Sequence, residues 1–255
     1  KVALFPRKII FSIIYVGQDP VIDNFIRYKK KFGSEIGIDA IIHHFDADIS
    51  ESELLSEIEH ISEQSDAIIV QLPLSDHLNT QVVLDAVPAS KDVDVLSTQA
   101  KKIFSEGKND MIPPVTGALI ESLVSINYSF ENKKILVVGY GDLVGKPFGT
   151  WLSLNGHGYT IVTRDTDIND RNRLLKSANL IVSGVGSPGL ITPDLVSSDL
   201  VLLDAGTSEV GKKVIGDIDP GCYEKSSYYT PVPGGIGPIT IAVLYQNILR
   251  SLENK

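Results

Sequence analysis

The chain has 255 residues, of which 43% are hydrophobic and 22% charged, and its 23 basic and 32 acidic residues give a formal charge of −9. This composition excludes disordered and collagen-like chains, and the acidic charge disfavours binding to nucleic acid. At about 150 residues per domain, the length predicts a little under two domains. Cys222 is the only cysteine, which excludes an internal disulfide and indicates a reducing compartment.

No apolar run approaches the ~18 residues that would indicate a membrane span. The first eight residues are too short and too soon interrupted by charge to form a secretory signal. We therefore expect a soluble, cytoplasmic protein.

The first part of the chain predicts strands that alternate with helices. The predicted strands are Ile9–Val16, Ile38–Phe45 and Ala67–Leu72. One helix is predicted over residues 21–36, where Gly37 ends it, and another over residues 50–62, where Ser50 and Glu53 form a capping box. This alternation predicts βαβ units and a mostly parallel sheet.

The same pattern begins again after a helix predicted over residues 117–127. The later strands are predicted at Lys134–Gly139, Tyr159–Val162, Leu180–Ser183 and Leu200–Asp204. A closing helix is predicted over residues 238–252. The chain therefore divides into two lobes, both of the α/β class.

A glycine-rich turn follows the strand at residues 134–139. Gly139, Gly141 and Gly145 are spaced as G-x-G-x-x-x-G, one residue longer than the dinucleotide fingerprint. Glycine permits the tight turn and lets a pyrophosphate approach the amides at a helix N-terminus. Further along the chain, Arg164 could bind the 2′-phosphate of NADP and Asp165 the free ribose 2′-hydroxyl of NAD. The sequence therefore does not decide between the two cofactors. A tight turn without a ligand is the alternative.

A second special loop occupies residues 230–240, with three prolines and three glycines in eleven residues. Such a segment cannot form a regular element, because proline lacks a donor and glycine has no conformational preference. A rigid loop before a helix exposes backbone groups, and we interpret it as a ligand-binding loop.

Three polar residues stand in the apolar first lobe. Lys29 lies in a basic run, which usually indicates a solvated helix face. Gln71 interrupts a strand at its carboxyl end, where open α/β sheets place ligands. Asp94, considered alone, is interpreted as an ordinary turn residue. The five histidines show no metal-ligand spacing, so no metal site is predicted.

Seven segments, taken in chain order, resemble a single family. They are Val16–Pro20, Lys29–Ile38, Val70–Leu74, Lys91–Asp94, Gly139–Pro147, Gly216–Asp219 and Thr230–Thr240. In this order the segments resemble the bifunctional methylenetetrahydrofolate dehydrogenase/cyclohydrolase family, and the resemblance extends from about residue 9 to residue 250. The last motif is close to diagnostic of that family. The resemblance implies a catalytic, folate-binding domain of residues 1–116, completed by the C-terminal helix 238–255. Residues 117–237 would form a Rossmann-type NAD(P)-binding domain.

The resemblance implies an enzyme of one-carbon metabolism and purine biosynthesis that forms a homodimer. It would oxidise 5,10-methylenetetrahydrofolate with NADP and hydrolyse 5,10-methenyltetrahydrofolate to 10-formyltetrahydrofolate. Lys29 would be the catalytic lysine, Gln71 its polarising neighbour and Asp94 the carboxylate that anchors the pterin ring. The implied substrate-binding residues are Phe25, Pro233, Gly234 and Gly235. The implied nucleotide-binding residues are Gly139, Tyr140, Gly141, Gly145, Arg164, Thr166 and Thr240.

The chain departs from the family pattern near the lysine and the nucleotide loop. The family has tyrosine and serine where this chain has Phe25 and Ile22, which removes a hydroxyl near the lysine. The usual G-R-S of the nucleotide loop is replaced by residues 139–141, Gly-Tyr-Gly, without the arginine that could face a phosphate. The family glycine after K-D-V-D is Val95.

These departures leave two alternatives open. One is a degenerate paralogue in which one or both activities are weakened. The other is a different Rossmann-fold NAD-dependent oxidoreductase, since the loop from Gly139 also resembles that of adenosylhomocysteine hydrolase. The chain enters its first strand by about residue 9, where the family usually has a helix ahead of that strand, so we expect a core shortened at the N-terminus.

Overall fold

A computed structural model of the chain describes residues 7–108, 110–211 and 213–253. The chain divides into two compact units, one formed by the residues up to Pro114 with those from Ile241 onward, the other by Val115–Thr240. Each unit has a parallel sheet with helices, which confirms the predicted α/β class. In the part of the chain described, no helix is both long and apolar enough to cross a membrane.

The first unit is built around a three-stranded parallel sheet in the order β2-β1-β3. Its strands are β1 (Ile9–Val16), β2 (Ile38–Phe45) and β3 (Ala67–Val70). Its helices are α1 (Pro20–Ile36), α2 (Glu51–Gln64), α3 (Thr80–Asp85) and α4 (Thr98–Ser105). A single parallel bridge between Ile68 and Asp92 adds a fourth chain segment beside β3.

The second unit contains a five-stranded sheet in the order β10-β7-β6-β4-β5, with all neighbours parallel. Its strands are β4 (Ile135–Val138), β5 (Thr160–Val162), β6 (Leu180–Ser183), β7 (Leu200–Asp204) and β10 (Ser226–Tyr229). A separate antiparallel hairpin pairs β8 (Ser208–Val210) with β9 (Lys213–Ile215). The helices are α5 (Pro114–Ser125), α6 (Gly145–Leu154), α7 (Ile168–Ser177) and α8 (Ile236–Glu253), whose residues from Ile241 group with the first unit.

Local sequence explains where the helices of the first unit begin and end. The Asp19 side chain accepts hydrogen bonds from the first amides of α1, and Gly37 ends that helix in the left-handed conformation with φ of 82°. Ser50 and Glu53 form the predicted capping box at the start of α2. These caps fix the length of α1 and hence the place of each side chain along it.

The sheet of the second unit is buried on both faces. Ile135 and Val137 of β4 belong to one apolar cluster, and Leu136 and Val138 to another. Because successive side chains of a strand point to opposite faces, helices must cover both sides of this sheet. Each such side chain contributes about 1.5–3 kcal/mol when fully buried. Parallel strands buried in this way end at one carboxyl edge, where their loops meet.

Several elements differ from the sequence predictions. The third strand ends at Val70, so Gln71 follows the strand instead of interrupting it. Residues 101–110, read as a polar stretch, include most of α4, which Ser97 caps by accepting from the Ala100 amide at 3.3 Å. The pattern also missed α3, α7, the β8–β9 hairpin and β10. The functional domain boundaries at residues 116 and 237 stay a prediction.

Candidate active site

The carboxyl edge of the first sheet brings Gln71 and Asp94 together. The amide of Gln71 donates to the carbonyl of Ile14 at 2.8 Å, which keeps Gln71 in register directly after β3. The amide of Ile68 donates to the carbonyl of Lys91 at 2.8 Å, so the segment that leads into Asp94 runs parallel to β3. Both polar side chains therefore leave neighbouring parallel segments at the same edge.

Lys29 of α1 reaches this edge and contacts Gln71. Its Nζ donates to Gln71 Oε1 at 2.9 Å, and Gln71 Nε2 donates to the carbonyl of Leu72 at 2.9 Å. The second bond fixes which way the amide points, so that its oxygen faces the lysine. Lys29 is half-buried whereas Lys30 and Lys31 are exposed. The basic run is thus a solvated face except at Lys29.

Burial lowers the pKa of Lys29, and the negative charge of Asp94 opposes that shift. Burial likewise raises the pKa of Asp94, with Lys29 lowering it and Asp92 raising it. The two groups are electrostatically coupled at the edge of the sheet. A lysine whose charged form is disfavoured gives up its proton more readily than an ordinary surface lysine, which suits it to proton transfer.

The backbone after Asp94 is strained. Val95 has φ of 58°, in the left-handed region that a β-branched residue rarely adopts. Such a conformation costs about 1–3 kcal/mol. The buried carboxylate of Asp92 holds the turn by accepting from the amides of Leu96 at 3.0 Å and Ser97 at 2.8 Å. Val95 occupies the position where the family pattern has glycine. Glycine would adopt this conformation without strain, so the strain arises from the valine of this chain.

Phe25 lies one helical turn before Lys29 and therefore on the same face of α1. Its side chain is 43% exposed, whereas Ile22 is buried. An exposed aromatic ring beside the lysine offers a flat apolar surface to a ligand but no hydrogen-bonding group. Of the two positions that lost a hydroxyl, only Phe25 is thus open to a ligand.

In the second unit, the glycine-rich turn joins β4 to α6. Gly139 has φ of 86°, which favours glycine. A Cβ at Gly145 would overlap the carbonyl of Gly139, whereas one at Gly141 would meet nothing within 4 Å. Among the residues that the structure describes, no side chain caps the N-terminus of α6. Close backbone packing, an open glycine and an uncapped helix are the features that a dinucleotide pyrophosphate needs, so the turn fits such a ligand.

The residues that the resemblance assigns to the ribose of the nucleotide follow β5. The hydroxyl of Thr166 accepts from the amide of Thr163 at 3.0 Å and closes a short turn. Arg164 and Asp165 in this turn are both exposed, so neither charge is committed to the core. Tyr140, which occupies the position of the family arginine, is 38% exposed.

The proline- and glycine-rich loop precedes α8. Pro233 and Gly234 are exposed, and Gly234 has φ of 104° with open space around it. The amide of Gly235 donates to the carbonyl of Pro231 at 2.8 Å and closes the loop. Thr240 already lies within α8 and donates to the carbonyl of Ile236 at 3.0 Å.

Sequence reasoning missed two buried carboxylates under the loops of the second unit. Asp217 accepts from the hydroxyl of Ser183 and the amides of Val185 and Ser187, each at 2.7 Å. Asp204 accepts from the amides of Gly206 and Ile218, each at 2.9 Å. Asp217 lies in the Gly216–Asp219 segment, which contributed to the family resemblance but had no role assigned to it. No sequence signal indicated a role for Asp204.

The fold and the site define a two-domain α/β enzyme whose second domain binds a dinucleotide. The family model described as the catalytic domain of tetrahydrofolate dehydrogenase/cyclohydrolase matches residues 6–94, and the model of its NAD(P)-binding domain matches residues 113–255. The chain belongs to the tetrahydrofolate dehydrogenase/cyclohydrolase family, as the sequence resemblance predicted.

Individual relatives agree with this assignment. The bifunctional protein FolD of Nautilia profundicola is 33% identical over 95% of this chain and 86% of its own length. The FolD protein of a Hydrogenobaculum species is 34% identical over 98% of this chain and 91% of its own length.

Two solved structures are also similar. The bifunctional FolD enzyme of Campylobacter jejuni has a TM-score of 0.90 at 30% identity and covers 96% of this chain and 88% of its own. The Trypanosoma brucei enzyme, complexed with NADP cofactor and an inhibitor, has a TM-score of 0.91 at 25% identity and covers 97% and 88%.

Proposed function

We propose that this enzyme oxidises 5,10-methylenetetrahydrofolate to the 5,10-methenyl form with NADP and then hydrolyses that product to 10-formyltetrahydrofolate. The observation that carries the proposal is the contact of Lys29 with Gln71 at 2.9 Å, next to the charge of Asp94. Family membership supplies the reaction class, and the cluster supplies the groups that such a reaction needs.

The oxidation removes a hydride from the carbon that bridges two nitrogens of the folate, and bound NADP would accept it. The product is a cation stabilised by both nitrogens, so the protein has only to hold the substrate in place. In this proposal the Asp94 carboxylate accepts hydrogen bonds from the N–H groups of the pterin. Phe25, Pro233, Gly234 and Gly235 would contribute the apolar and backbone surface for the substrate.

The hydrolysis needs a group that both takes and returns a proton. Water adds to the methenyl carbon and gives up one proton. The bond from that carbon to N5 then breaks while the added hydroxyl loses its own proton and becomes the formyl carbonyl, and N5 takes up one proton. The net reaction releases one proton and leaves the formyl group on N10. Lys29 Nζ, with its lowered pKa, can accept the first proton as an amine and return it as an ammonium. Gln71 Oε1 holds that nitrogen in position.

The nucleotide is assigned to the glycine-rich turn of the second unit. Gly139, Gly141 and Gly145 would receive the pyrophosphate at the N-terminus of α6. Tyr140, Arg164, Thr166 and Thr240 complete the proposed set. Arg164 is the residue that would bind the 2′-phosphate of NADP. NAD is the second candidate, because Tyr140 replaces the family arginine and Asp165 is exposed.

We also propose the cellular setting that the family resemblance implies. The single cysteine supports a reducing, cytoplasmic location. The enzyme would form a homodimer through its nucleotide-binding domains and supply 10-formyltetrahydrofolate for purine biosynthesis. The proposed functional division is residues 1–116 with 238–255 for folate and 117–237 for the nucleotide.

The purified protein tests this function directly. It is mixed with 5,10-methylenetetrahydrofolate and either NADP⁺ or NAD⁺, and the absorbance band of the methenyl product is followed. We expect that band to form with NADP⁺ and then to decay as the product is hydrolysed. Formation without decay above the buffer rate would identify a degenerate cyclohydrolase, and no formation with either nucleotide would contradict the dehydrogenase assignment.

A further inference from the structure

The C-terminal helix α8 contacts the backbone of the catalytic lysine. The hydroxyl of Tyr245 donates to the carbonyl oxygen of Lys29 at 2.7 Å. Tyr245 is only 1% exposed. Its ring lies 5.5 Å from that of Phe11, edge to face, and 5.2 Å from that of Phe32. The hydroxyl is thus aimed at Lys29 by a ring that its neighbours hold in place.

The same hydroxyl also lies against Gly33, four residues beyond Lys29 in α1. In a regular helix the carbonyl of residue 29 pairs with the amide of residue 33, so the tyrosine hydroxyl touches α1 at both ends of that turn. A Cβ at Gly33 would overlap the Tyr245 hydroxyl and lie 2.9 Å from the carbonyl of Ile38. Glycine at position 33 is therefore what allows the hydroxyl to reach the lysine turn.

A second residue of α8 contacts the segment that carries Asp94. Asn247 is fully buried, and its Nδ2 donates to the carbonyls of Val93 at 2.8 Å and Ile112 at 2.7 Å. Its Oδ1 accepts from the amide of Ile112 at 3.2 Å. Val93 directly precedes Asp94. One helix thus binds the backbone at Lys29 and at the residue before Asp94, from positions only two residues apart.

We propose that Tyr245 and Asn247 are positioning residues that fix the Lys29 and Asp94 segments relative to one another. The inference rests on the proposed function, which gives Lys29 and Asp94 their roles. Hydrogen bonds to main-chain carbonyls fix the backbone from which each side chain extends, and a catalytic group displaced by an ångström loses much of its effect. The Lys29–Gln71 contact depends on this support.

The test replaces Tyr245 by phenylalanine, which keeps the ring and removes only the hydroxyl. We expect the kcat of the Tyr245→Phe enzyme for methenyl hydrolysis to fall about tenfold. The KM for NADP in the dehydrogenase reaction should stay unchanged. Gly33→Ala, which displaces the hydroxyl by steric overlap, should show the same loss. The control is Ile58→Val in α2, which shortens a buried side chain of the same unit and should lower stability without changing kcat.

A second readout does not depend on activity. Lys29 is labelled with an amine-reactive reagent over a range of pH, and its modification is measured by mass spectrometry against the exposed Lys30 of the same chain. The wild-type protein should show Lys29 reacting at lower pH than an ordinary lysine, since burial lowers its pKa. The Tyr245→Phe profile should shift toward higher pH as the lysine turn is released, whereas that of Ile58→Val should not.

The outcomes separate the two claims. If the wild-type enzyme shows no hydrolysis, the proposed function fails, and the labelling profile still tests the positioning role. If the wild-type enzyme is active and Tyr245→Phe matches it in kcat and in labelling, the positioning inference is overturned. It is also overturned if Ile58→Val changes both readouts as much as Tyr245→Phe does, because the tyrosine would then act through stability alone.

Discussion

The two units place polar groups at the carboxyl edge of a parallel sheet in opposite ways. In the first unit the side chains of Lys29, Gln71 and Asp94 meet at this edge, half-buried. In the second, Asp204 and Asp217 are buried and bind backbone amides, so that glycine backbone is what remains exposed. The first edge offers side chains suited to proton transfer, and the second offers main-chain groups suited to binding phosphate.

The difference has an energetic reason. A proton-transfer group has to change charge during the reaction, which is possible only where burial has shifted its pKa toward neutrality. A phosphate site needs fixed donors, which backbone amides provide without titrating. The carboxylates of the second unit therefore fix its loops, and variants that affect one edge should leave the other intact.

The largest effect is expected from Lys29→Met. Without the amine the proposed proton carrier is lost, so methenyl hydrolysis should fall by about a thousandfold. The protein should still fold, because methionine fills a similar volume. Stopped assays of methenyl decay measure the loss, with Lys30→Met as the control at an exposed neighbour. Hydrolysis by Lys29→Met at the wild-type rate would refute the assigned role.

The next largest effect is the dependence of folding stability on pH through Asp204. Burial raises its pKa to about 6, assisted by the nearby Asp217 and opposed by amide hydrogen bonds. Because the folded-state value lies above the ordinary one of about 3.9, the stability that protonated Asp204 contributes is complete below about pH 4. It is lost as the pH rises through about 6, and the difference amounts to about 3 kcal/mol.

Asp204→Asn removes this titration. We expect the free energy of unfolding of the variant, relative to the wild type, to rise by about 3 kcal/mol between pH 4 and pH 7. Urea unfolding of both proteins at the two pH values measures it. A difference that does not change with pH would show that folding does not raise the pKa of Asp204.

A smaller effect is expected from Gly145→Ala. The added methyl group overlaps the carbonyl of Gly139, so the turn between β4 and α6 must open. NADP affinity should fall at least about tenfold, or 1.4 kcal/mol, in a calorimetric titration. Gly158→Ala is the matched control, since a Cβ there meets nothing within 4 Å. Equal loss in both variants would show that the turn geometry is not what the nucleotide requires.

The smallest effect is expected from Phe25→Tyr. The new hydroxyl lies one turn from Lys29 and supplies the hydrogen-bonding group that the family has there. The rate of methenyl hydrolysis should rise by about two- to fivefold, as one additional hydrogen bond allows. Ile22→Ser provides a comparison at a buried position of the same helix, where we expect no gain. An equal or lower rate in Phe25→Tyr would count against a role for the missing hydroxyl.

Local patterns predicted much of the fold. The limits of β1, β2, β6 and β7 agree with the sequence predictions, because each is a mainly apolar segment of strand length. The short polar helices α3 and α7 have no such signal. For the site, Lys29 and Asp94 were drawn from the resemblance, whereas their contacts depend on residues far apart in the chain. Tyr245 and Lys29 are 216 positions apart, and no local pattern records such a pair.

The central claim is that the first edge performs the chemistry and the second binds the nucleotide. It is tested most directly by measuring both hydrolysis of supplied 5,10-methenyltetrahydrofolate and NADP affinity in Lys29→Met and in Gly145→Ala. We predict that Lys29→Met loses hydrolysis and binds NADP normally, while Gly145→Ala hydrolyses normally and loses NADP affinity. Two folded variants that each lose both functions would contradict the claim.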